Sequence, residues 1–104
     1  MDALWHVVLI KFKSGASQQE KDAIYERYQT LAADAGGKDA GILFFKVERN
    51  LDLRKGVELV QIAIFEDNDA VQRYRFHPAH AALAGDLSKI ADWQVGDMML
   101  PYAL

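Results

Sequence analysis

The chain has 104 residues, no cysteine, 12 Lys+Arg against 15 Asp+Glu and a formal charge of −3. That length fits one domain over 1–104, and the missing cysteines exclude disulfides, thiolate metal sites and thiol nucleophiles. Mild acidity argues against nucleic-acid or anionic-membrane binding. No apolar run approaches the length of a bilayer span, and the opening Met1-Asp2-Ala3-Leu4-Trp5-His6 has no basic stretch or small-residue cleavage site, so a cytoplasmic setting is expected.

Leu4 to Phe12 is apolar and β-branched with almost no alternation, the pattern of a strand covered on both faces. Ser17-Gln18-Gln19-Glu20 matches a capping box and predicts a helix from Gln18 to Ala35. Ile24, Tyr28, Leu31 and Ala35 form its inward stripe, and Gly36-Gly37 stops it. Gly41–Glu48 and Val57–Phe65 read as two further strands around a polar turn. The acidic run Glu66-Asp67-Asn68-Asp69 suits the start of a helix that carries Ala70, Val71 and Tyr74 inward. That helix ends before Pro78, which opens another with His80, Leu83, Leu87 and Ile90 along one face. Asp92–Met99 is a last, weaker strand.

The order β-α-β-β-α-α-β is that of an α+β, ferredoxin-like split βαβ fold with a four-stranded antiparallel sheet. Helices cover one face of such a sheet, yet three strands read as apolar on both. A second copy of the chain, packed face to face, resolves the conflict and predicts a two-fold homodimer.

Strand alternation puts His6 with Val8, Ile10 and Phe12 on one covered face of the first strand. Taken alone, His6 reads as a core histidine bonded to backbone. Tyr74 and His80 bracket the proline break and can converge on one pocket, where a neutral imidazole serves as base and a phenol as donor. The competing reading is a packed Tyr74 and a His80 that satisfies a helix-end carbonyl. Tyr28 lies mid-stripe on the long helix. Gln61, grouped with Val57, Leu59, Ala63 and Phe65 by strict alternation, projects into a cavity or bonds across the sheet. By the same rule Lys46 shares a face with Ile42 and Phe44. His77 caps the new helix or meets solvent. His77 and His80 lack a third ligand nearby in sequence, so no metal site is expected. Nucleotide fingerprints and a nucleophile elbow are absent.

Several segments resemble one family. Trp5-His6-Val7-Val8-Leu9-Ile10-Lys11-Phe12-Lys13 is similar to the opening HxVxxKFK segment of the stress-responsive dimeric α/β-barrel (Dabb) family. Phe76-His77-Pro78-Ala79-His80 is similar to its HPxH signature. Val47-Glu48-Arg49-Asn50 resembles its VGxN turn, with Glu48 where glycine is usual, and Phe65-Glu66-Asp67 resembles its FED segment. The likeness spans nearly the whole chain in order. It implies a homodimer in which two four-stranded sheets close a barrel.

Most members have no assigned reaction, but a plant polyketide cyclase and a fern hydroxynitrile lyase are cofactor-free enzymes. Carried over from the cyclase, the resemblance implies His80, Tyr74 and His6 as catalytic residues, with His80 the base and Tyr74 its hydrogen-bond partner. It places Tyr28 in the substrate pocket and Leu59 where the cyclase has another pocket histidine. Gln61 and His77 complete the expected substrate-binding set. The functional expectation is a cofactor-free lyase or cyclase acting beside a carbonyl, partnered by itself and a small molecule, with no nucleic acid or membrane. The alternatives are a non-catalytic, stress-related binding barrel and a monooxygenase-like or haem-binding one.

Overall fold

Ser17 forms the capping box that its sequence promises. Its hydroxyl accepts from the Glu20 backbone N–H at 3.1 Å, and the Glu20 carboxylate accepts from the Ser17 N–H at 2.9 Å. The helix so started, α1, runs Gln18–Asp34 and buries Ile24, Tyr28 and Leu31. Ser17→Ala removes one of the two reciprocal bonds and should cost about 1 kcal/mol, read as a lowered urea midpoint with an unchanged slope.

The computed structural model describes residues 1–102. Ahead of α1 lies strand β1 (Asp2–Phe12); after it come β2 (Ile42–Arg49), β3 (Val57–Phe65), helix α2 (Asn68–Phe76), helix α3 (Pro78–Ile90) and β4 (Ala91–Pro101). A single 3₁₀ turn, Gly37–Ala40, links α1 to β2. Gly36, with φ at 108°, occupies the left-handed region that ends α1.

The strands form one sheet in the order β2-β3-β1-β4, every neighbour antiparallel. This is the ferredoxin-like α+β arrangement expected from the element order. β4 is longer than its weak pattern promised, pairing with β1 from Asp2↔Pro101 to Phe12↔Ala91.

Two bulges decide which side chains share a face. Ile42 pairs with Phe65 but Phe44 pairs with Ile64, so Leu43 is an extra residue. Ile10 pairs with Leu59 but Lys11 with Val57, so Glu58 is another. Each insertion inverts the alternation beyond it. Lys46 and Phe44 therefore stand on the face opposite Ile42, and Val57 opposite Leu59, contrary to strict alternation. Phe45 and Val47 turn instead toward the helices, and Val47 is buried.

The core lies between the helices and one sheet face, with Leu4, Val8, Ile10, Ala63 and Phe65 packed against Ile24, Leu31, Val71, Leu83 and Leu87. On the other face, Leu9, Phe44, Ile62, Met98 and Leu100 are large apolar side chains left exposed. Trp5 also stands there, since it pairs with Ile64 and Met98, and its indole N–H is buried without a hydrogen-bond partner among the described residues.

Candidate active site

Between the helix-facing side of the sheet and the helices lies a cavity of about 250 Å³. Register explains its polar floor. His6 on β1 stands opposite Ala63 and Asp97, while Gln61 on β3 stands opposite Val8 and Val47, all on the helix side. Tyr28 comes down from the α1 stripe, Tyr74 from the last turn of α2 and His80 from the first turn of α3. All five of these polar side chains line the cavity, walled by Val8, Val71 and Leu87.

His77 makes the α2–α3 corner that delivers Tyr74 and His80. Its N–H donates to the Tyr74 carbonyl at 3.2 Å, and its Nδ1 accepts from the Ala79 N–H at 3.0 Å. It is the N-cap of α3, with Pro78 in the first turn. His77 is thus committed to the corner and is not among the cavity's lining residues.

Leu59 also lies elsewhere. It lines a separate groove of about 180 Å³ beside Phe12, Tyr25 and Arg49. There the charges are already matched: Lys21 reaches Glu58 at 3.0 Å and Arg49 stacks over the Tyr25 ring at 3.9 Å. Leu59 shares the helix-facing side of β3 with Gln61, but it pairs with Ile10, nearer the Phe12 end of the sheet, and so meets Lys21 and Tyr25 of α1 instead of the cavity. Of the residues proposed from the sequence, His6, Tyr28, Gln61, Tyr74 and His80 converge, whereas Leu59 and His77 do not join them.

The Tyr74 and His80 rings touch at 4.5 Å between centroids, tilted by 54°. This is a ring-to-ring contact rather than a bond from the phenol to the imidazole. Tyr74 also packs against Phe65 (5.2 Å), Phe45 (5.9 Å) and His6 (6.5 Å), so aromatic edges on several sides fix its position.

The His80 Nδ1 lies 2.9 Å from the Arg75 carbonyl, which only accepts, so Nδ1 carries the proton. In the neutral ring Nε2 is then the free acceptor. Burial lowers the His80 pKa below the ordinary histidine range; the bond to Arg75 opposes this, and positive charge at His6 and Arg75 reinforces it. Burial likewise lifts the phenols of Tyr28 and Tyr74 above their usual range, with Tyr28 adding to the effect on Tyr74 and Gln61 pulling it back. At neutral pH the site therefore holds one neutral base and two protonated phenols.

The folded state holds the His80 proton less tightly than the unfolded chain. Its contribution to stability is complete above about pH 6.5 and is lost as pH falls below that value. A urea series from pH 7.5 to 5 should show a steeper fall for the wild type than for His80→Gln. Parallel curves would contradict the burial of this ring.

Asp97 is the site residue that sequence reasoning missed. Its Oδ1 lies 2.5 Å from His6 Nδ1 across the β1–β4 ladder, orienting the imidazole. Trp93, Val95 and Arg75, at the cavity's rim, were missed as well. Full pairing of β4 with β1 was the signal that would have found Asp97, because Asp97 falls opposite His6 in that register. Gln61 is 1% exposed, and its Nε2 has no hydrogen-bond partner among the described residues. Gln61 nevertheless faces the Tyr74 phenol, whose pKa it pulls down through a side-chain contact. No three His, Asp or Glu side chains among the described residues cluster closely enough to hold a metal ion.

The sequence model of the stress-responsive A/B barrel domain, Dabb, matches residues 4–100. The chain belongs to this Dabb family. Solved structures with the same fold include a dimeric ferredoxin-like protein of unknown function from Bacteroides fragilis, 21% identical, with a TM-score of 0.79 over 94% of this chain and 96% of that one. A hydroxynitrile lyase from Passiflora edulis is 18% identical, with a TM-score of 0.79 over 98% and 96% of the two chains. A cofactor-independent oxygenase from Streptomyces nogalater is 20% identical, with a TM-score of 0.74 over 100% and 98%. No curated protein matches this Dabb chain in sequence. Among its described residues no helix is long and apolar enough to cross a membrane.

Proposed function

We propose that this Dabb protein is a homodimer that holds a small apolar, carbonyl-containing compound between each sheet and its helices. There it acts as a cofactor-free lyase or cyclase, through proton abstraction next to the carbonyl. The observation that carries the reading is the state of His80: its Nδ1–H is engaged by the Arg75 carbonyl, its pKa is depressed, and its Nε2 is left as acceptor beside a cavity.

In this reading His80 Nε2 takes a proton from the carbon next to the carbonyl. The C–H electron pair moves into the carbon–carbon bond, the carbonyl π pair moves to oxygen, and an enolate forms. The phenols of Tyr74 and Tyr28 stay protonated and donate to the developing oxyanion, with the Gln61 amide as a further donor. His6, oriented by Asp97, assists from the floor. The likeness to a hydroxynitrile lyase and to a cofactor-independent oxygenase supports a fold that accommodates such chemistry, though not this substrate.

A non-catalytic binding barrel is the second reading, and one observation favours it: Tyr74 meets His80 ring to ring and leaves the base without a phenolic partner. Acetophenone in D₂O separates the two. A proton-abstracting site exchanges its methyl hydrogens for deuterium, visible by NMR as a decaying methyl signal. A protein that binds the ketone without accelerating exchange is a binding barrel.

A further inference from the structure

The cavity's floor is built of phenol, amide and imidazole groups, but its rim carries a permanent charge. Arg75 is the one lysine or arginine among the lining residues, and no aspartate or glutamate lines the cavity. The Arg75 side chain makes no ion pair or hydrogen bond among the described residues, where only its carbonyl is engaged, by His80. Arg73, two residues earlier on the same helix, is spent differently: its guanidinium donates to the Ala40 carbonyl at 3.1 Å. The carboxylate of Asp97, on the helix side of β4, is already engaged by the His6 imidazole. Arg75 therefore stands exposed beside an apolar opening made by Trp93, Val95 and Ala84, with no anion of the protein's own to hold.

We infer that Arg75 selects the ligand, and that the compound this pocket takes carries a carboxylate, held by Arg75 at the rim while its carbonyl end lies among His80, Tyr74 and Gln61. This rests on the pocket reading above and adds the substrate class to it: an aromatic or otherwise apolar keto acid rather than a neutral ketone.

Three physical points support this choice. A guanidinium presents a planar pair of donors that matches a carboxylate's two oxygens. A single cation at the rim suits a singly charged group. The walls are apolar, so an acid group placed deep in the cavity would lose its hydration with no cation beside it, whereas at the rim it keeps water and gains Arg75. The arrangement also gives the ligand a direction, because the charged end is held outside and the neutral end is the one that reaches the base.

The competing explanation of Arg75 is that a cation near the C-terminal end of α2 merely complements the helix dipole. That role affects stability and leaves ligand choice alone.

Calorimetric titration with 4-acetylbenzoate and its neutral counterpart 4-acetylbenzamide distinguishes them, with deuterium exchange at the acetyl group followed for both. The wild type should bind the carboxylate roughly tenfold more tightly than the amide. Arg75→Gln should bring that ratio close to one, and Arg75→Lys should retain part of it. Arg73→Gln, which removes a cation from the same helix but not from the rim, should leave the preference in place. Equal wild-type affinities, or a preference that survives Arg75→Gln, overturn the inference while binding and exchange of the amide keep the pocket reading standing. A preference lost equally in Arg73→Gln overturns it too, because the effect would then be a general field. If the wild type binds neither compound nor acetophenone, the pocket reading itself falls and the role of Arg75 falls with it.

Discussion

His80→Gln should lower the protein-catalysed deuterium exchange of acetophenone by roughly 10²- to 10⁴-fold, the usual contribution of a positioned general base. The substitution is chosen for what it keeps. A glutamine amide can still donate to the Arg75 carbonyl, so the contact between α2 and α3 that His80 Nδ1 now makes at 2.9 Å is retained. What disappears is a nitrogen that can take up a proton. Tyr74→Phe should have a smaller effect, because Tyr28 and Gln61 remain as donors around the oxyanion, while the aromatic packing against Phe65 and Phe45 is preserved. Activity should also rise with pH along an acid limb centred below about 6.5, since burial depresses the His80 pKa and only the neutral ring is a base. A His80→Gln protein that exchanges the ketone at the wild-type rate would remove His80 from the role of base, whatever the cavity binds.

The parts of the molecule that were readable in the sequence are those governed by local chemistry. The capping box at Ser17, the stripe of Ile24, Tyr28 and Leu31, and the break at Pro78 are each set by neighbours within a few residues, and each stands where the spacing put it. The meeting of Tyr74 and His80 was also legible, because they flank one helix corner, whereas His6, which its strand alone marks as a core histidine, entered the site through the family correspondence. Side-chain direction beyond a bulge was not. Nothing in Gly41–Glu48 marks Leu43 as an extra residue, and nothing in Val57–Phe65 marks Glu58, so strict alternation misplaced Lys46 and Val57. Leu59 came from a family correspondence, and only the fold could show that it opens on the groove by Tyr25 instead of the cavity by His80. Asp97 was hidden for a different reason: its partner is 91 residues away, and the pairing exists only once β4 is docked on β1.

Ile62→Glu should convert the protein from a species of twice 11.7 kDa into a monomer. Ile62 sits near the middle of the face that the helices leave bare, opposite Val7 on β1 and Lys46 on β2, and it is 40% exposed in the isolated chain. Leu9, Phe44, Met98 and Leu100 are exposed on the same face, an apolar grouping of the kind that marks an interaction surface. A two-fold axis brings the patch against its own copy, so one substitution introduces two carboxylates into the same dry interface. Lys46 flanks each new carboxylate, but drawing the added charges out of water still costs several kcal/mol, enough to weaken association by about a hundredfold or more. Because Ile62 points away from the helices, the cavity of the separated subunit keeps its walls, and residual ketone binding by the variant would show that folding survived. Sedimentation velocity at micromolar concentration decides the matter: a variant that still runs as a dimer would place the dimer contact somewhere other than the bare face of the sheet, and a wild type that runs at 11.7 kDa would overturn the homodimer itself.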